Sequence, residues 1–247
     1  MARSSERLDK LLVDKGFAAS RERAQSLVLA AKVLVNGRVL TKVGQRVAED
    51  SEIHVIEEAV PYVSRGGLKL EHAIRSFSIE VSGRIAMDVG ASTGGFTDCL
   101  LSFGARRVYA VDVGYGQLAF KLRNDPRVVV LERQNIRYLP AELVPEPIEL
   151  ATIDTSFISL KLVIPAVAHF LKAGAVLISL IKPQFEAGRA QVSKGAGVIR
   201  DPAVHEKVCE AVAEFAAGLG FKIMGTIPSP IQGPKGNREF LMAAVAP

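Results

Sequence analysis

A glycine-rich turn directly follows an apolar run near the middle of the chain. Residues 84–89 have the composition of a buried strand, and residues 97–103 have the apolar spacing of a helix. The turn between them reads Asp88-Val89-Gly90-Ala91-Ser92-Thr93-Gly94-Gly95-Phe96, and its glycines allow positive φ and close approach of a ligand to the backbone. A strand, such a turn and a helix in this order are typical of an α/β sheet that binds a nucleotide-like ligand at its edge.

Strand-like and helical segments alternate along the rest of the chain. This alternation predicts an α/β fold of the Rossmann-like type, with a parallel sheet and helices on both of its faces. Asp201 and Pro202 predict the start of a long helix, as N-cap and first helical residue. The further strands are predicted at 107–113, 128–132, 150–154, 176–181, 222–227 and 240–245, and the helices at 160–171 and 202–219.

The first 59 residues have a different pattern. Leu8, Leu11 and Leu12 predict a short helix whose other faces carry polar residues such as Asp9. A second helix follows Ser20, and the Asn36-Gly37 pair between two apolar runs predicts a hairpin. The sequence therefore predicts a small α+β domain over 1–59, a linker over 60–66 and a larger domain over 67–247.

The charge balance indicates an anionic partner. The chain has a net charge of +5 and a pI near 9.3, a modest signal for nucleic-acid binding. Scattered basic residues are commonly a solvated surface, but basic side chains near a helix N-terminus and a hairpin also suit phosphate. The candidates for RNA binding are Arg7, Arg21, Arg23, Lys32, Arg38 and Lys42 in the first domain and Arg65 in the linker.

The cysteine content and the hydropathy pattern point to a cytoplasmic protein. Cys99 and Cys209 lie far apart and belong to no metal-spaced cluster, so we expect neither a disulfide nor a metal site. The most apolar stretch, 160–181, is interrupted by residues such as Pro165 and Lys172, which favours a core helix and strand over a membrane span.

Two details bear on which ligand the turn binds. The spacing from Gly90 to Gly94-Gly95 differs from the G-x-G-x-x-G of dinucleotide-binding turns, and Asp112 ends the next strand, where a carboxylate can accept ribose hydroxyls. Asp112 alone would serve a nicotinamide cofactor equally well, but D-x-G-x-x-x-G-G-F with a following acidic strand end resembles an S-adenosylmethionine-binding motif. The predicted cofactor-binding residues are Asp88, Gly90, Ala91, Ser92, Thr93, Gly94, Gly95, Phe96, Asp112, Asn135 and Asp154.

Four charged residues near the ends of predicted strands or on a short helix are candidates for the site. Lys69 lies on a short helix before the first strand, Asp154 and Lys182 end two strands, and Glu239 precedes the last one. Each alone is more commonly a surface residue. The carboxyl ends of strands in a parallel sheet share one edge, however, so we expect Asp154 and Lys182 to meet near the methyl donor.

These motifs resemble a known family. In order and context, Lys69, Asp154, Lys182 and Glu239 match the K-D-K-E tetrad of the FtsJ-like ribose 2′-O-methyltransferases. The stretches SRGGLKL, DVGASTGGFTDCLL, DTSFISL, IKPQFE and GNREFL resemble the TlyA family, also called haemolysin A-like, over nearly the whole chain. Residues 6–56 resemble the RNA-binding module shared by a small-subunit ribosomal protein, pseudouridine synthases and tyrosyl-tRNA synthetases. Thr93 replaces the proline that wider FtsJ-like enzymes commonly have before the paired glycines.

The resemblance implies a class I methyltransferase that uses S-adenosylmethionine to methylate ribose 2′-hydroxyls of ribosomal RNA, on cytidine, free or within ribosomal subunits. It implies Lys182 as the base, Lys69 as a neighbouring cation that favours the neutral form of Lys182, and Asp154 and Glu239 as the carboxylates that orient both amines. Three alternatives stay open: a membrane-active haemolysin, a nicotinamide-dependent enzyme on a similar fold, and a non-catalytic RNA-binding factor.

Overall fold

In the computed structural model of the chain, the described residues are 4–18, 20–29, 31–55, 61–188 and 197–247, without the side chains of Arg23, Ser26 and Pro234. The chain forms two compact units, Met1–Val60 and Pro61–Pro247.

The first unit is a small α+β structure. Leucines of the first helix and valines of the strands form its core, with Leu8, Leu12 and Val33 fully buried. Asn36 and Gly37 have φ of 50° and 75°, the conformation that a two-residue hairpin requires, so the predicted hairpin is confirmed. The elements are β1 Ser5–Arg7, α1 Leu8–Asp14, α2 Arg21–Leu29, β2 Val33–Val35, β3 Arg38–Val39, β4 Arg46–Ala48 and β5 Ile53–Val55.

Two features of this unit differ from the sequence prediction. The short strands β1 and β4 pair antiparallel, which the polar sequence of Ser5–Arg7 does not indicate. Asp9 was expected on a polar face of the first helix, but its side chain is fully buried. The reason is that the side chains of Arg7, Arg21 and Gln25 close over its carboxylate and hydrogen-bond to it.

The second unit contains a seven-stranded sheet with the strand order β11-β12-β10-β9-β6-β7-β8. Its strands are β6 Ile85–Val89, β7 Arg107–Asp112, β8 Val128–Glu132, β9 Ile148–Ile153, β10 Leu171–Ile181, β11 Lys222–Pro228 and β12 Phe240–Val245. Its α-helices are α3 Gly66–Ser76, α4 Gly95–Ser102, α5 Phe120–Arg123, α6 Leu160–Ala168, α7 Pro183–Glu186 and α8 Pro202–Gly218.

The local signals for these elements are confirmed in most places. Asp201 caps α8 by accepting a hydrogen bond from the backbone N–H of Ala203, and Pro202 is its first residue. The stretch 160–181 forms α6 and β10, although β10 begins at Leu171 rather than at 176. Among the described residues, no helix is long and apolar enough to cross a membrane.

The expectation of a parallel sheet is wrong for one strand, β12. β12 pairs antiparallel with both β10 and β11, because no α-helix among the described residues joins β11 to β12 and a parallel pair needs such a crossover. Ile181 at the end of β10 pairs with Phe240 at the start of β12. The start of β12 therefore lies at the same edge as the ends of β9 and β10.

The stretch expected as a linker has fixed contacts in the second unit. Tyr62 is buried, and its hydroxyl donates a hydrogen bond of 2.9 Å to Glu71 Oε2. The backbone N–H of Val63 donates to Asp98 Oδ2 at 2.8 Å. These contacts hold residues 62 and 63 against helices α3 and α4.

Candidate functional site

Two ion pairs, one buried and one partly exposed at Asp154, lie at the sheet edge where β10 ends and β12 begins. Lys69 Nζ lies 2.5 Å from Glu239 Oε2, and the two side chains are 10% and 0% exposed. Lys182 Nζ lies 2.5 Å from Asp154 Oδ1 and donates a second hydrogen bond of 3.0 Å to Ser156 Oγ. The structure thus pairs all four candidate charged residues, each lysine with one carboxylate.

The antiparallel direction of β12 explains this arrangement. Lys182 directly follows Ile181, Glu239 directly precedes Phe240, and these two strand residues are paired in the sheet. Asp154 follows β9, which pairs in parallel with β10. Lys69 comes from α3 and completes the cluster through its bond to Glu239.

The glycine-rich turn fits closely against the end of β9. Gly90 has φ of 86°, and a Cβ at this position would lie 2.6 Å from the carbonyl oxygen of Asp154. Gly94 has φ of 95° and caps α4, where a Cβ would collide with Leu122. Both positions require glycine for its positive φ and for lack of space.

A cavity of about 200 Å³ opens between this turn and the start of α3. A Cβ on Gly95 would lie only 2.2 Å from Ser64 Oγ, so the absence of a side chain at this position keeps the turn close to the 64–67 segment. The sequence prediction missed Ser64 and Gly66, although the adjacent glycines of SRGG were a signal for close packing. The cavity is lined by Ser64, Gly66, Lys69, Gly90, Ala91, Ser92, Thr93, Gly95, Phe96 and Asp154.

Asp88 lies behind the turn and does not line the cavity. It is fully buried and accepts hydrogen bonds from Thr97 Oγ1 at 2.7 Å and Thr152 Oγ1 at 3.0 Å. Burial raises the pKa of Asp88 to about 6, although the hydrogen bonds from the two threonines act in the opposite direction. Asp88 therefore joins the turn to β9 from inside the protein.

Asp112 and Asn135 also lie outside the cavity lining. Asp112 accepts hydrogen bonds from the backbone N–H of Ser92 at 2.8 Å and of Gly114 at 2.7 Å, so its carboxylate orients two loops. Asn135 Oδ1 accepts from the backbone N–H of Arg137 at 3.1 Å.

Three further residues near the ion pairs were not predicted. Ser156 hydrogen-bonds to Lys182, and Phe157 is 91% exposed with its ring centre 5.0 Å from that of Phe185. Asn237 is buried and its amide holds residues 197 and 199 through hydrogen bonds of 3.2 Å each. Polar and aromatic loop residues of this kind have no periodicity that would mark them in the sequence.

The candidate RNA-binding residues lie in both units. Arg21, Arg38 and Lys42 of the first unit are exposed, whereas Arg7 and Lys32 are half-buried. Arg65, exposed at the start of α3, belongs to the second unit. The side chain of Arg23 lies outside the described residues.

No metal cluster was found in the described part of the chain, meaning no group of three or more histidine, cysteine, aspartate or glutamate side chains placed to hold an ion. Cys99 is a buried free cysteine on α4 and Cys209 a half-buried one on α8. Burial raises the pKa of the Cys209 thiol to about 11, so it is a weak nucleophile.

Comparisons with known proteins cover both units. Residues 62–245 match the family described as FtsJ-like methyltransferase, and residues 6–53 match the S4 domain. The 16S/23S rRNA (cytidine-2′-O)-methyltransferase TlyA of Mycobacterium tuberculosis is 45% identical over 98% of this chain and 90% of its own length. Hemolysin A of Brachyspira hyodysenteriae is 44% identical over 95% and 98%. A solved structure of a hemolysin candidate from Streptococcus thermophilus is 46% identical, with a TM-score of 0.79 and coverage of 99% and 90%.

The raised pKa of Asp88 predicts how stability depends on pH. Because the folded protein holds this proton more tightly than the unfolded chain, the contribution of Asp88 to the free energy of unfolding is lost as pH rises from about 4 to about 6. The whole loss amounts to about 3 kcal/mol, since one pKa unit corresponds to about 1.4 kcal/mol, and about 2 kcal/mol of it falls between pH 4.5 and pH 7.5. Urea unfolding of the wild type and Asp88→Asn at pH 4.5 and pH 7.5 measures it. We expect the free energy of unfolding of Asp88→Asn to rise relative to that of the wild type on going from pH 4.5 to pH 7.5. An equal pH dependence of the two proteins would contradict a raised pKa of Asp88.

The close approach of Gly90 to Asp154 predicts an unusually costly substitution. Gly90→Ala introduces a strained φ and a collision with backbone, so we expect it to lower the free energy of unfolding by about 2–5 kcal/mol. Gly116→Ala is the matched control: its φ of 70° is also positive, but nothing lies within 4 Å of the added Cβ, so only the strain of about 1–2 kcal/mol applies. Chemical denaturation compares the two. Equal losses would show that the contact with Asp154 does not constrain the turn.

Proposed function

We propose that this chain, which belongs to the FtsJ-like methyltransferase family and carries an S4 domain, methylates ribosomal RNA. In the proposed reaction, the methyl group of S-adenosylmethionine is transferred to ribose 2′-hydroxyls. The observation that carries the proposal is the pairing of Lys69 with Glu239 and of Lys182 with Asp154 beside the cavity.

The residues around the cavity suit the cofactor. S-adenosylmethionine, when bound, supplies a methyl group activated on a sulfonium sulfur. Gly90 and Gly95 line the cavity, and their lack of side chains lets the turn pack directly against Asp154 and Ser64. Asp112 uses its carboxylate oxygens for two backbone N–H groups and retains further lone pairs for ribose hydroxyls. These residues, with Phe96, are the proposed cofactor-binding set.

Lys182 is the proposed base. A ribose hydroxyl is a weak nucleophile, and its proton must leave as the oxygen attacks the methyl carbon. The Lys182 amine, when neutral, accepts this proton. Asp154 Oδ1 and Ser156 Oγ already lie at hydrogen-bond distance and hold the ammonium that results.

Lys69 and Glu239 position the acceptor. Glu239 is buried and uses Oε2 for Lys69, while its Oε1 has no hydrogen-bond partner within the described part of the chain. This oxygen is buried and faces Gly233, whereas Lys69 lines the cavity, so Lys69 is the member of the pair that would contact the substrate hydroxyl. Holding the hydroxyl in line with the methyl group supplies roughly 7–11 kcal/mol of the rate acceleration in well-oriented reactions.

Nucleic acid is the proposed substrate for two reasons. The S4 domain over residues 6–53 is a compact unit with exposed basic side chains, and Arg65 adds one near the cavity segment. Phe157 directly follows Ser156, which hydrogen-bonds to Lys182, and its exposed ring suits stacking against an unpaired base. Ribosomal RNA or ribosomal subunits as substrate and cytidine as the target are proposed from the relative named as a 16S/23S rRNA (cytidine-2′-O)-methyltransferase. We propose a cytoplasmic location as the place where such a substrate is met.

Lys182→Ala tests the role of the base. We expect it to abolish methyl transfer to ribosomal RNA and to leave cofactor binding intact, because Lys182 is not among the residues that line the cavity. Radiolabelled methyl transfer and calorimetry with S-adenosylmethionine give the two readouts. The control is Lys172→Ala, which removes an exposed lysine from the opposite end of the same strand and should leave both unchanged. Full transfer by Lys182→Ala would remove Lys182 from the mechanism.

A further inference from the structure

The first unit contains a buried charge that the proposed methyl transfer does not use. Asp9 is 0% exposed and receives hydrogen bonds from three side chains. Arg7 donates through Nε at 2.9 Å and Nη2 at 3.1 Å, and Arg21 donates through Nε at 2.9 Å. Gln25 adds a bond of 3.1 Å from Nε2. One carboxylate therefore joins two arginines that come from different elements, β1 and α2.

Stability alone is a weak reason for such a cluster. The Arg7 guanidinium beside Asp9 holds the pKa of that carboxyl well below its usual range, so the group stays charged at neutral pH. Removing a charge from water is costly, and apolar residues of similar volume commonly serve a core as well or better. The leucines around Asp9, Leu8 and Leu12, show that this helix already supplies an apolar core.

The two arginines face solvent while Asp9 holds their inner side. The side chains of Arg7 and Arg21 are 43% and 54% exposed, although both are bonded through Nε. The Arg7 guanidinium also lies flat against Gly44, where a Cβ would sit 3.5 Å from its carbon and both terminal nitrogens. Gly44 borders an open concave surface formed by residues 39–45, which includes the exposed Lys42.

We propose that Asp9 is a positioning residue for RNA: it fixes the guanidinium groups of Arg7 and Arg21 side by side as one binding site for backbone phosphate. The inference rests on the proposed function, since RNA is the polyanion concerned. An arginine held by its Nε keeps its planar fork in one orientation, so less rotamer freedom is lost when phosphate binds. Two guanidiniums around one carboxylate still leave a net positive charge for the phosphate.

The direction in which RNA affinity changes on Asp9→Asn distinguishes a positioning role from a purely electrostatic one. Asp9→Asn removes a negative charge from a binding unit, and electrostatics alone would then strengthen RNA binding. Positioning has the opposite consequence, because the two arginines lose their common anchor. Glu52→Gln is the matched control, since Glu52 is an exposed carboxylate of the same unit whose side chain pairs with His54.

Filter binding of the full chain to purified bacterial ribosomal RNA gives the measurement. We expect Asp9→Asn to weaken binding about tenfold and to lower the slope of log affinity against log salt by about one to two, as for loss of one or two phosphate contacts. Glu52→Gln should bind as tightly as the wild type or slightly more tightly. In an Arg7→Gln/Arg21→Gln background, Asp9→Asn should cause no further loss. Wild-type affinity of Asp9→Asn, or a full additional loss in that background, would overturn the proposal.

A second pair of variants tests whether fixed guanidinium geometry is needed for RNA binding, even where Asp9→Asn fails to fold. Arg7→Lys and Arg21→Lys keep the charge but cannot reproduce a guanidinium anchored through Nε. We expect each to lose most of the affinity that the corresponding glutamine variant loses, while S-adenosylmethionine binding stays at the wild-type level. Lysine variants that bind RNA like the wild type would show that fixed guanidinium geometry is not needed, and would overturn the proposal.

Methyl transfer by the wild type distinguishes this inference from the function on which it rests. If the wild type transfers no methyl group to ribosomal RNA, the proposed function fails whatever the binding data show. If it does so and Asp9→Asn binds RNA normally, only the positioning role of Asp9 fails.

Discussion

The antiparallel pairing of β12 with β10 is the constraint on which the rest of the site depends. It brings the start of the last strand to the edge where the parallel strands end, so that Glu239 and Lys182 flank one paired position, Ile181 with Phe240. A parallel last strand would place Glu239 at the opposite edge of the sheet. With the antiparallel one, Lys69 and Asp154 complete two ion pairs next to the cavity.

Much of this could be predicted from the sequence because the signals are local. The Asn36-Gly37 hairpin, the cap at Asp201 and the glycine-rich turn each depend on a few neighbouring residues. Local patterns do not encode strand direction, and so the reversal of β12 was missed. The burial of Asp9 could not be predicted from local patterns either, since its contacts come from side chains up to sixteen residues away.

Some residues of the site could be predicted from the sequence, and others could not. The K-D-K-E positions were recognisable because their order and context resemble a family motif, whereas the position of each residue in the sequence would not have been enough alone. Ser64 at the cavity wall and Ser156 beside Lys182 were not, because a single serine in a loop has no distinguishing pattern. Asp88 was recognisable as part of the turn, but only the structure places its carboxylate behind the turn, bonded to Thr97 and Thr152.

The central claim is that this chain methylates ribose rather than a base, and mapping of 2′-O-methyl groups tests it most directly. Ribosomal RNA from a bacterium that lacks a relative of this chain is compared before and after expression of the protein. A 2′-O-methyl blocks alkaline cleavage at its own nucleotide, because the free 2′-hydroxyl is the nucleophile in that reaction. The account predicts one or more new cleavage gaps at cytidines. New methyl groups on bases alone, or no new methyl group in ribosomal RNA, would contradict it.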